Sequence, residues 1–295
     1  MRVCAFRTGT ARFRRSTGSP ASANGSRTAR QFTSLACRLK GANIVITAGI
    51  IGCGFVGGAL KAWLETNNKG VRVVVSDPPK GYNDDLSHVD VAFVQIHVPT
   101  EDDGTQDLTL MKELIRKLPD VPVFVRTTIL PGTSERLTKE TGRRVYFMPE
   151  FLTERTYIED FRRQPMVFTG ELELLCRIFK GKTFTYMTPL EAEITKYAHN
   201  VFGAYKVTYF NAVYDYCRRM GADWARVHAG MLLSGYINDT HTFVPGPDGK
   251  FGYGGKCFPK DVNAFAKMTQ GTPLGTLLAP LHELNVGFRG REERI

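Results

Sequence analysis

An uncharged, apolar run from Ile44 to Ile51 has the pattern of a strand buried on both faces of a parallel sheet. It passes into Gly52-Cys53-Gly54-Phe55-Val56-Gly57, and then into Gly58–Leu64, where apolar positions recur at helical spacing. A second apolar run, Val71–Val75, leads to Asp77. Val89–Ile96 and Val121–Thr127 read as further strands, with a helix over Leu108–Leu118 between them. This alternation of strand and helix predicts an α/β fold with a doubly wound parallel sheet. From Pro189 the pattern changes. Glu191–Cys217 has no proline and one glycine, Gly203, with aromatic and aliphatic residues three to four apart, which predicts a long central helix in a mainly α-helical second domain.

The 295 residues are 42% hydrophobic and 23% charged, which excludes collagen-like and wholly disordered classes and suits about two domains. The net charge of +10 is unevenly placed. Residues 1–42 hold eight arginines, Lys40 and no acid, leaving 30 basic and 29 acidic groups in residues 43–295. The basic balance therefore describes the tail, and no nucleic-acid partner is expected for the folded part. The tail's Arg, Ser, Thr, Ala and Gly predict a disordered extension. Its composition also fits an organelle transit peptide, or an upstream extension before a working protein that begins near Ala42.

The uncharged stretch 41–60 has the length of a membrane span. It contains Gly49, Gly52, Gly54, Gly57 and Gly58, a density that suits a strand turning into a helix, so no membrane partner is expected. The six cysteines form no CxxC pair and the six histidines lack metal-ligand spacing. A disulfide scaffold and a metal site are not expected, and a reducing compartment is. That compartment is the cytoplasm, or an organelle if the tail is a transit peptide.

The glycine-rich turn carries the first chemistry. Gly52 permits a tight turn, Gly54 lets a pyrophosphate approach the backbone, and Gly57 lets helix and strand pack closely. The amides opening the helix, from Phe55 and Val56 onward, face the phosphates. Asp77, 25 residues after Gly52, stands where a ribose-binding acid belongs and favours NAD over NADP. Residues 43–187 are thus expected to form a Rossmann-type NAD-binding domain. In the long helix Lys196 and Asn200 are four apart and share a face, flanked by Ile194, Tyr197, Ala198, Val201 and Phe202, which predict a buried pair. Downstream lies Gly252-Tyr253-Gly254-Gly255-Lys256-Cys257-Phe258-Pro259-Lys260-Asp261. Glycines let this segment pass close to a ligand, and Lys256 and Lys260 are expected to favour a reactive Cys257 thiolate.

These segments resemble the nucleotide-sugar 6-dehydrogenases, of the UDP-glucose 6-dehydrogenase type. The match covers residues 43–290 and rests on GCGFVG, Thr127–Thr133 (TTILPGT), Met148–Glu154 (MPEFLTE), Lys196–Phe202 (KYAHNVF) and the GYGGKCFPKD loop. The resemblance implies NAD as cofactor and a UDP-sugar, or a variant such as GDP-mannose, as substrate. It implies Cys257 as nucleophile, with Lys196 and Asn200 stabilising oxygen at the reacting carbon and Asp261 working with Lys196 in proton transfer. Glu154 and Thr128 resemble the hydrolytic acid and the hydroxyl that holds water. Glu150, Phe151, Leu152, Gly254 and Lys260 match the substrate site, and Pro99 and Thr100 the loop beside the nicotinamide.

Residues 188–295 then form a helical substrate and dimerisation domain, with a homodimer formed through the long helix. The family continues into a further α/β domain, so the chain reads as a short form lacking it: a compact two-domain branch or a fragment. Lys256 and His97 replace smaller residues usual in the family. Alternatives are a 3-hydroxy-acid or 6-phosphogluconate-type dehydrogenase, which needs no cysteine, and a non-catalytic nucleotide-binding protein.

Overall fold

The computed structural model describes residues 45–101 and 104–290; Ile44 and the basic tail, with its proposed disorder and targeting role, lie outside the described residues. β1 (Ile46–Ile51) is followed by α1 (Phe55–Asn67), β2 (Val71–Asp77), a 3-10 turn over Pro78–Lys80 and β3 (Tyr82–Asn83). Next come β4 (Val91–Val94), α2 (Thr109–Lys117), β5 (Val123–Val125), α3 (Thr133–Thr141) and β6 (Val145–Phe147). These strands form one sheet in the order β3-β2-β1-β4-β5-β6, parallel except where β3 runs against β2. The chain winds outward in both directions from β1, so the strand order reverses between β1 and β4. In such sheets the crevice at the strands' carboxyl ends receives ligands.

Two strands are shorter than their apolar runs. At the start of β5, Pro122 has no N–H to give the ladder. At the end of β4 the chain leaves the sheet at Gln95, whose side-chain amide donates to the carbonyls of Gly52 (3.0 Å) and Phe93 (3.1 Å). Alternating strand residues feed two cores. Ile50, Phe93 and Phe124 pack with Leu60 and Trp63 on one face, while Ile51, Val94 and Val125 pack with Met111 and Ile115 on the other.

A small unit extends the first core: α4 (Tyr157–Arg163), β7 (Met166–Phe168), α5 (Leu172–Ile178) and β8 (Phe184–Tyr186), with β7 parallel to β8. Phe179 joins it to the sheet, its ring centroid 5.6 Å from Trp63 and 5.8 Å from Phe93.

The long helix α6 runs from Pro189 to Met220, 32 residues and roughly 48 Å. It starts in a reciprocal cap. The Thr188 amide donates to Glu191 Oε2 (2.7 Å), the Glu191 amide donates to Thr188 Oγ1 (3.3 Å), and Pro189 occupies the first turn, where no intrahelical donor is needed. It ends at Gly221 in the left-handed region, φ 68°. α7 (Trp224–Leu232), α8 (Phe258–Met268) and α9 (Pro273–Arg289) follow, with Tyr197 and Val201 of α6 packing on Val262, Phe265, Leu278 and Leu281.

Glu193, 1% exposed, ties α6 to the sheet by capping α3. It accepts from the amides of Gly132 (2.6 Å) and Ser134 (2.8 Å) and from Ser134 Oγ (2.6 Å). Glu193→Ala leaves the two buried Ser134 donors without a partner and uncaps the Gly132 amide, and is expected to cost about 3 kcal/mol. Urea denaturation of the variant measures it; a loss within ~0.5 kcal/mol would mean water replaces the carboxylate.

Candidate active site

Gly52, between β1 and α1, has φ +87°, and a Cβ there would lie 2.7 Å from the Gln95 carbonyl oxygen. A Cβ on Gly57 would lie 2.1 Å from the Gly52 carbonyl oxygen, so bare backbone is what lets α1 sit against the turn. Gly54 differs: the nearest atom to its Cβ position is Lys80 Nζ, at 3.8 Å. Open space thus lies beside the residue at the start of α1, whose first amides and positive dipole end are aimed outward. Asp77 Oδ2 accepts from the Cys53 amide (2.7 Å), which fixes the carboxylate at the turn. Lys80 donates to the Cys53 carbonyl (2.8 Å) and lies 3.7 Å from Asp77. A cavity of about 490 Å³ opens here, walled by Cys53, Gly54, Phe55, Lys61, Lys80 and Tyr157. These residues fit a dinucleotide: an amide-lined phosphate cradle and an acid for a ribose.

A second cluster forms where α6 meets α8 and the Met148–Glu154 segment. Lys196, 5% exposed, donates to the Glu150 carbonyl (2.5 Å) and to Glu150 Oε1 (3.1 Å), and its ammonium lies 5.4 Å from the Phe151 ring centroid. Glu150 Oε2 accepts from the Leu152 amide (2.6 Å). One turn on, buried Asn200 donates to Asp261 Oδ2 (2.7 Å), whose other oxygen accepts from Lys260 (2.5 Å). Asp261 is fully buried on the first turn of α8, and its amide donates to the carbonyl of Cys257, the residue that starts that helix. Gly203 permits this approach, since a Cβ there would lie 2.7 Å from the Phe258 ring.

Lys196 and Asn200 are buried as expected, yet Ile194, Ala198 and Phe202 beside them are exposed. They lie on the far side of α6, and only Tyr197 and Val201 pack into the core.

The expected thiolate is also reversed. Cys257 is exposed as a residue, but desolvation of its sulfur raises the thiol above its ordinary 9.0. The Asp261 carboxylate raises it further, while Lys260 and Lys196 oppose and do not prevail. Lys256 points to solvent and takes no part. Iodoacetamide labelling of Cys257, followed by peptide mass spectrometry, is expected to keep accelerating beyond pH 9.0. A plateau below about pH 8 would mean that the thiolate is favoured after all.

The other candidates make no hydrogen bond to Lys196, Asn200, Cys257 or Asp261 among the described residues. Glu154 is exposed in the turn before α4. Thr128 is half-buried, and its carbonyl accepts from Gln106 (3.2 Å). Thr100 pairs with Gln106 in a β-bridge, and the Pro99 carbonyl accepts from the Asp107 amide (3.0 Å). Arg289 fills the space beside Gly254 and pairs with Asp248 (2.8 Å). Gln106 and Lys80 were not anticipated. Gln106 joins three segments through the Thr128 carbonyl, the Leu130 amide and the Tyr197 hydroxyl. Nothing in its sequence setting singles it out, whereas Lys80 could have been found as the first cation after Asp77, the acid expected to bind a ribose.

The chain is 32% identical over 218 residues to the UDP-glucose 6-dehydrogenase of Rhizobium meliloti, covering 64% of this chain and 49% of that protein. It spans about half the length of the curated relatives it matches. Its fold is that of a UDP-glucose dehydrogenase from Pyrobaculum islandicum, with TM-score 0.68, 24% identity, and coverage of 83% of this chain and 68% of that one. The Mycobacterium tuberculosis 3-hydroxyisobutyrate dehydrogenase shares the fold at TM-score 0.59 and 15% identity, covering 83% of this chain and 95% of that one. Residues 190–285, which hold Lys196, Asn200, Cys257 and Asp261, match the central domain of the UDP-glucose/GDP-mannose dehydrogenase family. Through that segment the chain resembles the UDP-glucose/GDP-mannose dehydrogenase family.

Proposed function

We propose that this chain oxidises a nucleotide sugar, UDP-glucose to UDP-glucuronate, in an NAD-dependent four-electron reaction. The observation that carries the reading is Cys257 one helical turn before an Asp261 that holds both Asn200 and Lys260. When bound at the Gly52–Gly57 turn, NAD supplies the hydride acceptor. A primary alcohol becomes an acid in two oxidation stages, so the intermediate aldehyde must be held between them. Cys257 attacks the aldehyde carbon to give a thiohemiacetal; oxidation gives a thioester, and water releases the carboxylate. Because the resting thiol is neutral, its proton must leave as the carbon–sulfur bond forms, and it ends on the former aldehyde oxygen as the thiohemiacetal hydroxyl. Lys196 and the Asn200 amide supply donors for the oxygen that gains charge. Both are pre-set by hydrogen bonds, to Glu150 and Asp261 respectively.

The test uses the full chain with UDP-glucose and excess NAD. Two NADH per sugar, with UDP-glucuronate as product, is the expected result. One NADH per substrate, with no need for Cys257, would favour a two-electron dehydrogenase on the same fold. GDP-mannose in parallel tests the base, and NAD binding without turnover on either sugar would favour a binding protein.

The homodimer belongs to the same proposal. Ala198, Phe202, Tyr209, Tyr216 and Met220 form an exposed stripe on α6, with Phe202 at 67% and Tyr216 at 63% exposure. An exposed apolar row of this length along one helix suits a second copy of the chain. Light scattering is expected to give twice the monomer mass, and Phe202→Asp with Tyr216→Asp to halve it. A monomeric mass for the unaltered chain would rule this out.

A further inference from the structure

Arg126, the residue after β5, is 2% exposed, and its Nε and Nη1 are buried with no hydrogen-bond partner among the described residues. Buried donors are nearly always paired, so an orphaned guanidinium in the core calls for an explanation. The Phe161 ring, 5.4 Å from the guanidinium carbon, offers its face but accepts no hydrogen bond from these nitrogens. Desolvation lowers the Arg126 pKa to about 10, against the pull of the Glu150 carboxylate. Arg126 and Glu150 wall one cavity of about 20 Å³, which Leu152, Phe161 and Gln164 also line. That is room for a single water molecule, and the walls offer it donors and an acceptor. Glu150 is also the residue that Lys196 grips from the helical side, through both its carbonyl and its carboxylate.

We propose that Arg126 is a positioning residue for the reaction proposed above: through one buried water it holds the Glu150 carboxylate from the sheet side and so fixes Lys196 at the reacting oxygen. The water accepts from Nε or Nη1 and donates to Glu150, leaving Glu150 Oε1 for Lys196 and Oε2 for the Leu152 amide. The segment that carries Glu150 is then clamped between two cations, one from β5 and one from α6. A buried charge without a direct partner does not stabilise a fold, and apolar replacements of similar volume are often neutral or stabilising. Positioning gives the arginine a role here that fold stability does not.

The proposal rests on the catalytic reading, and its test separates the two. Arg126→Met and Arg126→Lys are made in the full chain. Arg126→Met is expected to melt no lower than the unaltered protein and to lose about 10- to 100-fold in kcat, with KM for UDP-glucose and NAD affinity within about twofold. Arg126→Lys is expected to recover part of kcat. Independently of turnover, Arg126→Met, Glu150→Gln and the double variant form a cycle read by melting temperature, and non-additive shifts are expected. If the unaltered chain turns over no sugar nucleotide, the catalytic reading fails and the cycle alone decides the link. Additive shifts, or a stable Arg126→Met enzyme with unchanged kcat, would overturn the proposal.

Discussion

Replacing Cys257 with alanine is expected to stop formation of the acid, with turnover falling by at least about 10³-fold. The side chain is short and the residue exposed, so its loss opens no core cavity, and melting temperature and NAD affinity should stay unchanged. What disappears is the only group in the cluster able to bond covalently to an aldehyde carbon and then leave as a good leaving group. Cys257→Ser tests the second property: the hydroxyl has a higher pKa and would make an ester that hydrolyses less readily. It should lie close to the alanine variant. Measured as NADH per sugar, survival of four-electron turnover in Cys257→Ala would falsify the thioester route.

Gly54→Ala and Gly57→Ala are expected to fail in different ways. The Gly57 Cβ would stand 2.1 Å from the Gly52 carbonyl oxygen, a methyl group against rigid backbone, and α1 must move to admit it. A loss of about 3 kcal/mol in stability is expected, together with loss of NAD binding. At Gly54 the nearest atom is 3.8 Å away, so the alanine variant should fold within ~0.5 kcal/mol of the parent. It should nevertheless bind NAD more than about tenfold more weakly, because the methyl group occupies the approach used by the pyrophosphate. Titration calorimetry and thermal melting on both variants separate the effects. Equal affinity in Gly54→Ala would place the phosphates elsewhere.

The elements with strong periodicity were legible in the sequence. The first strand, its glycine turn and the long helix each combine a clean hydrophobic pattern with a clear stop signal, and they stand within two or three residues of expectation. The edge strand β3, the short strands β6 to β8 and the helices α4 and α5 were not read. Two or three residues carry no period, and their pairing is decided by distant partners such as Phe179.

Lys196, Asn200, Cys257 and Asp261 were legible because recognisable motifs surround them. Their electrostatics were not. Counting lysines near Cys257 in the sequence omits the buried carboxylate and the desolvation that outweigh them. Arg126 likewise reads as an ordinary cation at the end of a strand until its surroundings are known.

Glu193, Lys196, Asn200 and Gly203 are spaced three, four and three apart, so they fall on one side of α6. They meet three segments: the α3 cap, Glu150, and α8 through both Asp261 and Phe258. The exposed apolar stripe lies on the opposite side of the same rod. The helix therefore works as an indexed shaft, with its phase set at Thr188. Inserting one residue between Thr188 and Glu193 would turn every downstream tooth by about 100° and slide it by about 1.5 Å. All four engagements would slip together, and the outer stripe would swing out of line with them. The proposed catalytic geometry and the proposed self-assembly would thus be locked to a single register, and neither could drift without the other.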